Sequence, residues 1–148
     1  LTDLNITIKK STKKDKKVLK RFYKQCNYPL SYMGYDHVYT IYSRNEIIGS
    51  AVVSYLTQSN KQGLLHALLI ATEYRNSGYA KTLINFIANQ HNNLLCFADK
   101  ELAYFYKSIS FKESNTTDIP PIFLAKYKSY KQKNNNLLIF TKNNKLSL

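Results

Sequence analysis

Tryptophan is absent, and cysteine, proline and glycine are scarce: two, three and four residues in a chain of 148. Each shortage excludes something. Cys26 and Cys96 form no metal or redox spacing, so no metal site is expected. Nothing demands an oxidising compartment, and the cytoplasm is the expected location. Four glycines do not make the triple-glycine fingerprint of a dinucleotide site, and no Gly-x-x-x-x-Gly-Lys-Ser/Thr loop occurs. No apolar run is long enough to span a membrane, and no signal peptide is evident. Acidic residues are few, nine against 22 basic ones, and only three of the basic residues are arginine. Planar, bidentate recognition of phosphates and base edges favours arginine. A lysine-rich solvated surface is therefore the better reading than specific nucleic-acid binding.

The charge is unevenly placed. Residues 1–24 carry +7, residues 25–125 are neutral, and residues 126–148 carry +6. At this length one domain covering residues 1–148 is expected, large enough for a real core.

The most informative stretch is 64–82. Leu64 to Ala71 is an apolar run broken only by His66, as in a strand buried on both faces. A polar turn follows from Thr72 to Ser77. Then Ala80, Leu83, Ile84, Ile87, Ala88 and His91 form one helical stripe, predicting a helix over 78–91. The N–H groups of a helix's first turn lack intrahelical partners and attract phosphate. Gly78 has no side chain to keep a ligand from its backbone.

The other elements read in order. Ile6 and Ile8 alternate in a short strand over 4–9. Val18, Leu19, Phe22, Tyr23 and Cys26 stripe a helix capped by Ser11 or Thr12. Residues 27–34 are irregular and rich in tyrosine. Strands 38–43 and 46–56 flank a turn at Arg44-Asn45, with Gly49 marking a bulge. Strand 94–98 leads to Asp99, which caps a helix over 100–109. Two strands joined through a helix lie parallel. Residues 114–119 form a polar linker, a helix starts at Pro120-Pro121, and a last strand covers 137–141. The pattern gives α/β or α+β, a mixed sheet with helices on both faces.

Arg75-x-x-Gly78-x-Ala80 after a buried strand resembles the Gln/Arg-x-x-Gly-x-Gly/Ala acetyl-CoA motif of the GNAT superfamily of N-acetyltransferases. Residues 99–111 resemble that family's second signature, Asn-x-x-Ala-x-x-Phe/Leu-Tyr-x-x-x-Gly-Phe. Asp99, Leu102 and Ser110 replace its Asn, Ala and Gly. The resemblance implies the GNAT fold, in which two parallel strands splay apart to admit acetyl-CoA. It implies direct acetyl transfer to a primary amine, small molecule or peptide, with no membrane or specific nucleic-acid partner.

The resemblance also assigns roles. Leu68, Leu69 and Ile70 would meet the pantetheine arm, and Asp99 stands where the family's Asn touches it. Arg75, Asn76, Ser77, Gly78, Tyr79, Ala80 and Lys81 would hold the pyrophosphate, with the backbone doing most of the binding. The Arg75 guanidinium either meets a phosphate or pairs with Glu73. Tyr106 matches the family's general acid, and it equally fits a core aromatic on an apolar stripe. His66 is either a base, titrating near ~6.5, or a satisfied buried histidine. Leu64 rules out a second histidine beside it. His91 reads as a helix-end histidine facing the dipole. The tyrosines Tyr28, Tyr32 and Tyr35 would line the acceptor pocket or pack on the core. Two other readings stay open: a non-catalytic module that senses CoA, and a small basic nucleic-acid-binding protein.

Overall fold

Seven strands form one sheet in the computed structural model, which describes residues 5–30, 35–57 and 61–144. They are β1 (Ile6–Lys10), β2 (Tyr35–Ser43), β3 (Glu46–Tyr55), β4 (Gly63–Ile70), β5 (Asn93–Asp99), β6 (Lys112–Ser114) and β7 (Leu137–Asn143). Their spatial order is β1-β2-β3-β4-β5-β7-β6. Only the central β4–β5 pair is parallel. Four α-helices cover the sheet: α1 (Lys16–Gln25), α2 (Tyr79–Ala88), α3 (Ala103–Ser108) and α4 (Pro121–Lys131). This is the mixed sheet with helices on both faces that the pattern predicts. No helix among the described residues is long and apolar enough to cross a membrane.

Strand alternation sorts the helices between the faces. Leu65, Ile70 and Val53 face α2 and α3, and pack with Leu83, Ile84, Ile87, Tyr106 and Ile109. Val52 faces α1, through Leu19, Phe22 and Tyr23. Leu64 faces α4, through Phe123 and Tyr127. The register places Val52 opposite His66 and Ser54 opposite Leu64, so these four share the α1/α4 face.

Two irregularities shape the centre. Arg44 and Asn45 both have positive φ, the signature of a two-residue hairpin turn between β2 and β3. Beyond it the partner of Ile41 is Gly49, whereas that of Tyr42 is Ile47, so Ile48 is an extra residue. A Cβ on Gly49 would stand 2.5 Å from Ile70 Cδ1 and 3.0 Å from the Leu69 carbonyl, which explains the glycine. In β4 the register shifts again: Ser50 faces Leu69 and Val52 faces His66, three steps against two. Ala67 takes φ 54 in this bulge, and its carbonyl accepts the Tyr23 hydroxyl at 2.7 Å.

The helix expected over 78–91 stops at Ala88. His91 lies beyond it, buried, with Nε2 bonded to the Tyr39 hydroxyl at 2.8 Å and Nδ1 to that of Tyr55. Burial, with His37 and Lys10 nearby, lowers its pKa to about 4. It is neutral at pH 7, so the helix-dipole reading is wrong; an apolar stripe cannot reveal that the chain leaves the helix to bury an imidazole. The short edge strand β6 was also unforeseen, because Lys112-Glu113-Ser114 is polar and pairs only with β7. Tyr32, Gly34 and the tail over 145–148 lie outside the described residues, as does the side chain of Tyr35.

Two outcomes follow from backbone and burial. Ser110 ends α3 at φ 71, with the Phe111 N–H on the Tyr106 carbonyl at 3.0 Å. A side chain in that region is strained, and glycine relieves this at some cost in unfolded-state entropy. Ser110→Gly should stabilise by ~0.5–1 kcal/mol and raise Tm by about 2–4 °C; a lowered Tm would show no strain there. For His91, the folded pKa lies below the unfolded value of 6.5. Its contribution is full above that value and is lost as pH falls toward about 4. His91→Gln keeps two hydrogen-bonding groups and cannot charge. Its Tm should decline several degrees less between these pH values than the parent's; parallel declines would contradict the assignment.

Candidate active site

The parallel pair β4–β5 is joined at only two positions, Gly63↔Leu94 and Leu64↔Leu95. Both strands continue, to Ile70 and Asp99, without pairing further. The sheet therefore opens into a wedge. On the α2/α3 side the wedge widens into a cleft of about 660 Å³. Its walls are Leu68, Leu69 and Ile70 of β4, the turn from Tyr74 into α2, and Leu102, Phe105 and Tyr106 at α3.

The turn forms one rim. Arg75 Nε donates to the Ile70 carbonyl at 2.8 Å, tying the turn to the end of β4. Of the two roles expected for the guanidinium, a phosphate contact or a pair with Glu73, this bond is neither, and it leaves the terminal N–H groups for other partners. Asn76 (φ 62) and Gly78 (φ 86) carry the chain into α2 through left-handed conformations. Apart from its chain neighbours, no heavy atom of the described residues lies within 4 Å of where a Cβ on Gly78 would stand, so the space in front of its backbone is open. The Gly78 carbonyl accepts the N–H and the hydroxyl of Thr82, each at 3.0 Å. The N–H groups of Tyr79, Ala80 and Lys81 precede the first intrahelical bond, and these residues line the cleft. A ten-residue helix adds the positive end of its dipole. Such a rim can receive an anion, and the apolar cleft beside it an extended chain.

Tyr106 lies at the inner wall, buried and stacked on Phe140 with ring centroids 5.2 Å apart. Burial first, and then the Cys96 thiol to which it is hydrogen-bonded, push its pKa well above 10.0. Burial likewise pushes the Cys96 thiol up. Both groups keep their protons at neutral pH.

His66 stands on the other side of the sheet, the α1/α4 face. It is the first β4 residue on that face beyond the last β5 pairing, at the gap between the strands. Its Nε2 is 2.6 Å from Ser54 Oγ, and Ser54 donates to an Asp36 carboxylate oxygen. Burial, with Lys126 as a smaller cause, lowers its pKa to about 4. Tyr28 packs on Tyr23 on this face, and its phenol is a minor cause of the raised pKa of Tyr106. The lysine-rich helices α1 and α4 both cover this face, while the cleft side belongs to the neutral part of the chain.

Of the residues singled out from sequence, Leu68, Leu69, Ile70, Arg75, Asn76, Gly78, Tyr79, Ala80, Lys81 and Tyr106 line the cleft. Ser77 and Asp99 do not. The Ser77 hydroxyl donates to the Arg75 carbonyl at 3.4 Å, and Asp99 caps the turn into α3, accepting from the Glu101 N–H at 2.9 Å and from Asn134 at 3.0 Å. Tyr74, Leu102 and Phe105 were missed as lining residues. The last two share the α3 segment of Tyr106, which could have pointed to them. Nothing in the sequence linked Asp36 and Ser54 to His66.

Residues 34–113 match the acetyltransferase (GNAT) domain family. No curated protein matches the chain significantly. Among solved structures, N-acetylglutamate synthase from Neisseria gonorrhoeae, complexed with coenzyme A and N-acetyl-glutamate, superposes with a TM-score of 0.70 at 12% identity. The match covers 97% of this chain but 36% of that one, so the chain spans about a third of that enzyme's length. A GNAT family acetyltransferase from Elizabethkingia anophelis with acetyl-CoA bound gives 0.61 at 14% identity, covering 95% of this chain and 99% of that one. Arabidopsis thaliana Naa50, in complex with the bisubstrate analogue CoA-Ac-MVNAL, gives 0.64 at 13% identity, covering 94% and 99%.

Proposed function

The chain belongs to the GNAT acetyltransferase family, and from that membership we propose that it transfers an acetyl group from acetyl-CoA directly to a primary amine. The observation that carries the reading is the wedge between β4 and β5, with an anion-receiving helix terminus at its rim and a phenol at its inner wall. The three similar structures hold coenzyme A, acetyl-CoA and a CoA-peptide bisubstrate analogue, which supports acetyl-CoA as the cosubstrate of this fold.

Acetyl-CoA supplies an activated thioester. The chain's residues supply the rest. The N–H groups of Gly78–Lys81 and the dipole of α2 hold the pyrophosphate. The apolar walls Leu68, Ile70 and Phe105 take the pantetheine arm and keep water out. The bulge at Ala67–Leu68 breaks the ladder with β3 and frees backbone groups beside the cleft. An N–H there can meet the carbonyl oxygen as negative charge grows on it.

The amine approaches through the gap from the α1/α4 face. An ammonium group must first lose a proton, its pKa lying near ~10.4. His66 is neutral at pH 7 but, with its pKa lowered from the expected 6.5 to about 4, a weaker base than a free imidazole. It therefore serves to relay that proton to solvent rather than to store it. The amine nitrogen then bonds to the acetyl carbon, the carbon–sulfur bond breaks, and the electron pair leaves on sulfur. Tyr106 keeps its proton more tightly than an ordinary phenol. It therefore assists by hydrogen-bonding the departing sulfur in place of the Cys96 thiol, and the second amine proton completes the thiol.

Tyr106→Phe tests this. It removes one oxygen and keeps the stacking on Phe140. Turnover should fall by roughly 10²-fold, the scale of losing one hydrogen-bond donor to charge that develops in the transition state, measured as CoA release across an amine panel. Acetyl-CoA affinity should barely change, because the lost interaction belongs to the transition state. Transfer at the parent rate would remove Tyr106 from the chemistry.

A further inference from the structure

We propose that Asp36 and Ser54 are positioning residues, forming a hydrogen-bonded chain Asp36–Ser54–His66 that holds the imidazole with its proton on Nε2 and presents Nδ1 as the proton acceptor. The inference rests on the reading of His66 as the base.

The argument is one of counting protons. A carboxylate only accepts hydrogen bonds, and a serine hydroxyl has one proton to give. Ser54 Oγ gives it to Asp36 Oδ1. The same oxygen lies 2.6 Å from His66 Nε2 and has only lone pairs left for that contact. Nε2 must therefore be the donor. In neutral imidazole the other nitrogen, Nδ1, then carries the lone pair. Among the described residues no buried side-chain nitrogen or oxygen lacks a partner. Nδ1 makes no bond among the described residues, so it keeps some exposure and is open to an incoming amine.

The placement favours such a role. Asp36, Ser54 and His66 come from three adjacent strands and lie side by side on the α1/α4 face, Asp36 directly opposite Ser54 in the β2–β3 register. Ser54 is fully buried, so its hydroxyl is held rather than free to turn. His66 precedes the bulge at Ala67, where β4 turns its backbone toward the cleft. The chain thus fixes a base one residue from the break in the ladder. Bonded to Ser54, the ring cannot flip without leaving Nε2–H without an acceptor, a cost of burial that keeps one orientation.

Nitrogen-15 NMR of histidine-labelled protein reads the tautomer directly, whatever the reaction proves to be. The parent should show His66 protonated on Nε2. Ser54→Ala should give a mixture of tautomers or the Nδ1–H form. Its kcat should fall about tenfold or more with the KM for acetyl-CoA unchanged, and Ser54→Thr should restore both readouts in large part. A parent protonated on Nδ1, or a Ser54→Ala protein that keeps the pure Nε2–H form and the parent kcat, would overturn the chain. Parent-like kcat in His66→Ala would instead overturn the base assignment and leave the tautomer result standing.

Discussion

Everything at this site depends on the two parallel strands that begin as partners and separate. β4 and β5 share two register positions and then leave each other's reach. An unpaired backbone inside a domain is costly unless something else satisfies it. Here the separated edges are bordered by the Arg75 turn, by the α3 aromatics and by open cleft rather than by close packing. The opening connects a neutral, apolar side, where the helix α2 begins, with a basic side carrying His66. A transferase for two substrates needs such a passage, since the donor and acceptor must meet without crossing each other's binding ground.

The two bulges adapt the sheet to that passage. A one-residue change of register moves every later side chain to the opposite face. Counting outward from the Arg44-Asn45 turn, Asp36 would face Val53. The extra residue at Ile48 shifts its partner to Ser54. Without that bulge the carboxylate would face α2 rather than His66. The second bulge turns Leu68 and Ile70 toward the cleft while Ala67 and Leu69 stay against α1. The strain of a positive φ at Ala67 is held in place by the buried Tyr23 hydroxyl.

This also explains what was legible in the sequence. The strand-turn-helix around Gly78, the hairpin and the parallel pair announce themselves through periodicity and turn chemistry, and the structure contains them. The rim at the start of α2 was readable because it consists of consecutive residues. The Asp36–Ser54–His66 chain was not, because its members are brought together by a bulge that has only Gly49 as a local mark. His91 was misread because the apolar stripe of α2 continues in phase past the point where the helix ends. The lysine-rich ends looked separate in sequence, and the sheet topology brings them to one face through α1 and α4.

The central claim is that acetyl-CoA occupies the wedge with its pyrophosphate on the start of α2. Backbone amide chemical shifts recorded during an acetyl-CoA titration test it most directly. The account predicts that the largest changes fall on Asn76–Lys81 and on Leu68–Ile70, with little change along the lysines of α1 and α4. Changes confined to the lysine-rich face, or none at millimolar acetyl-CoA, would contradict it.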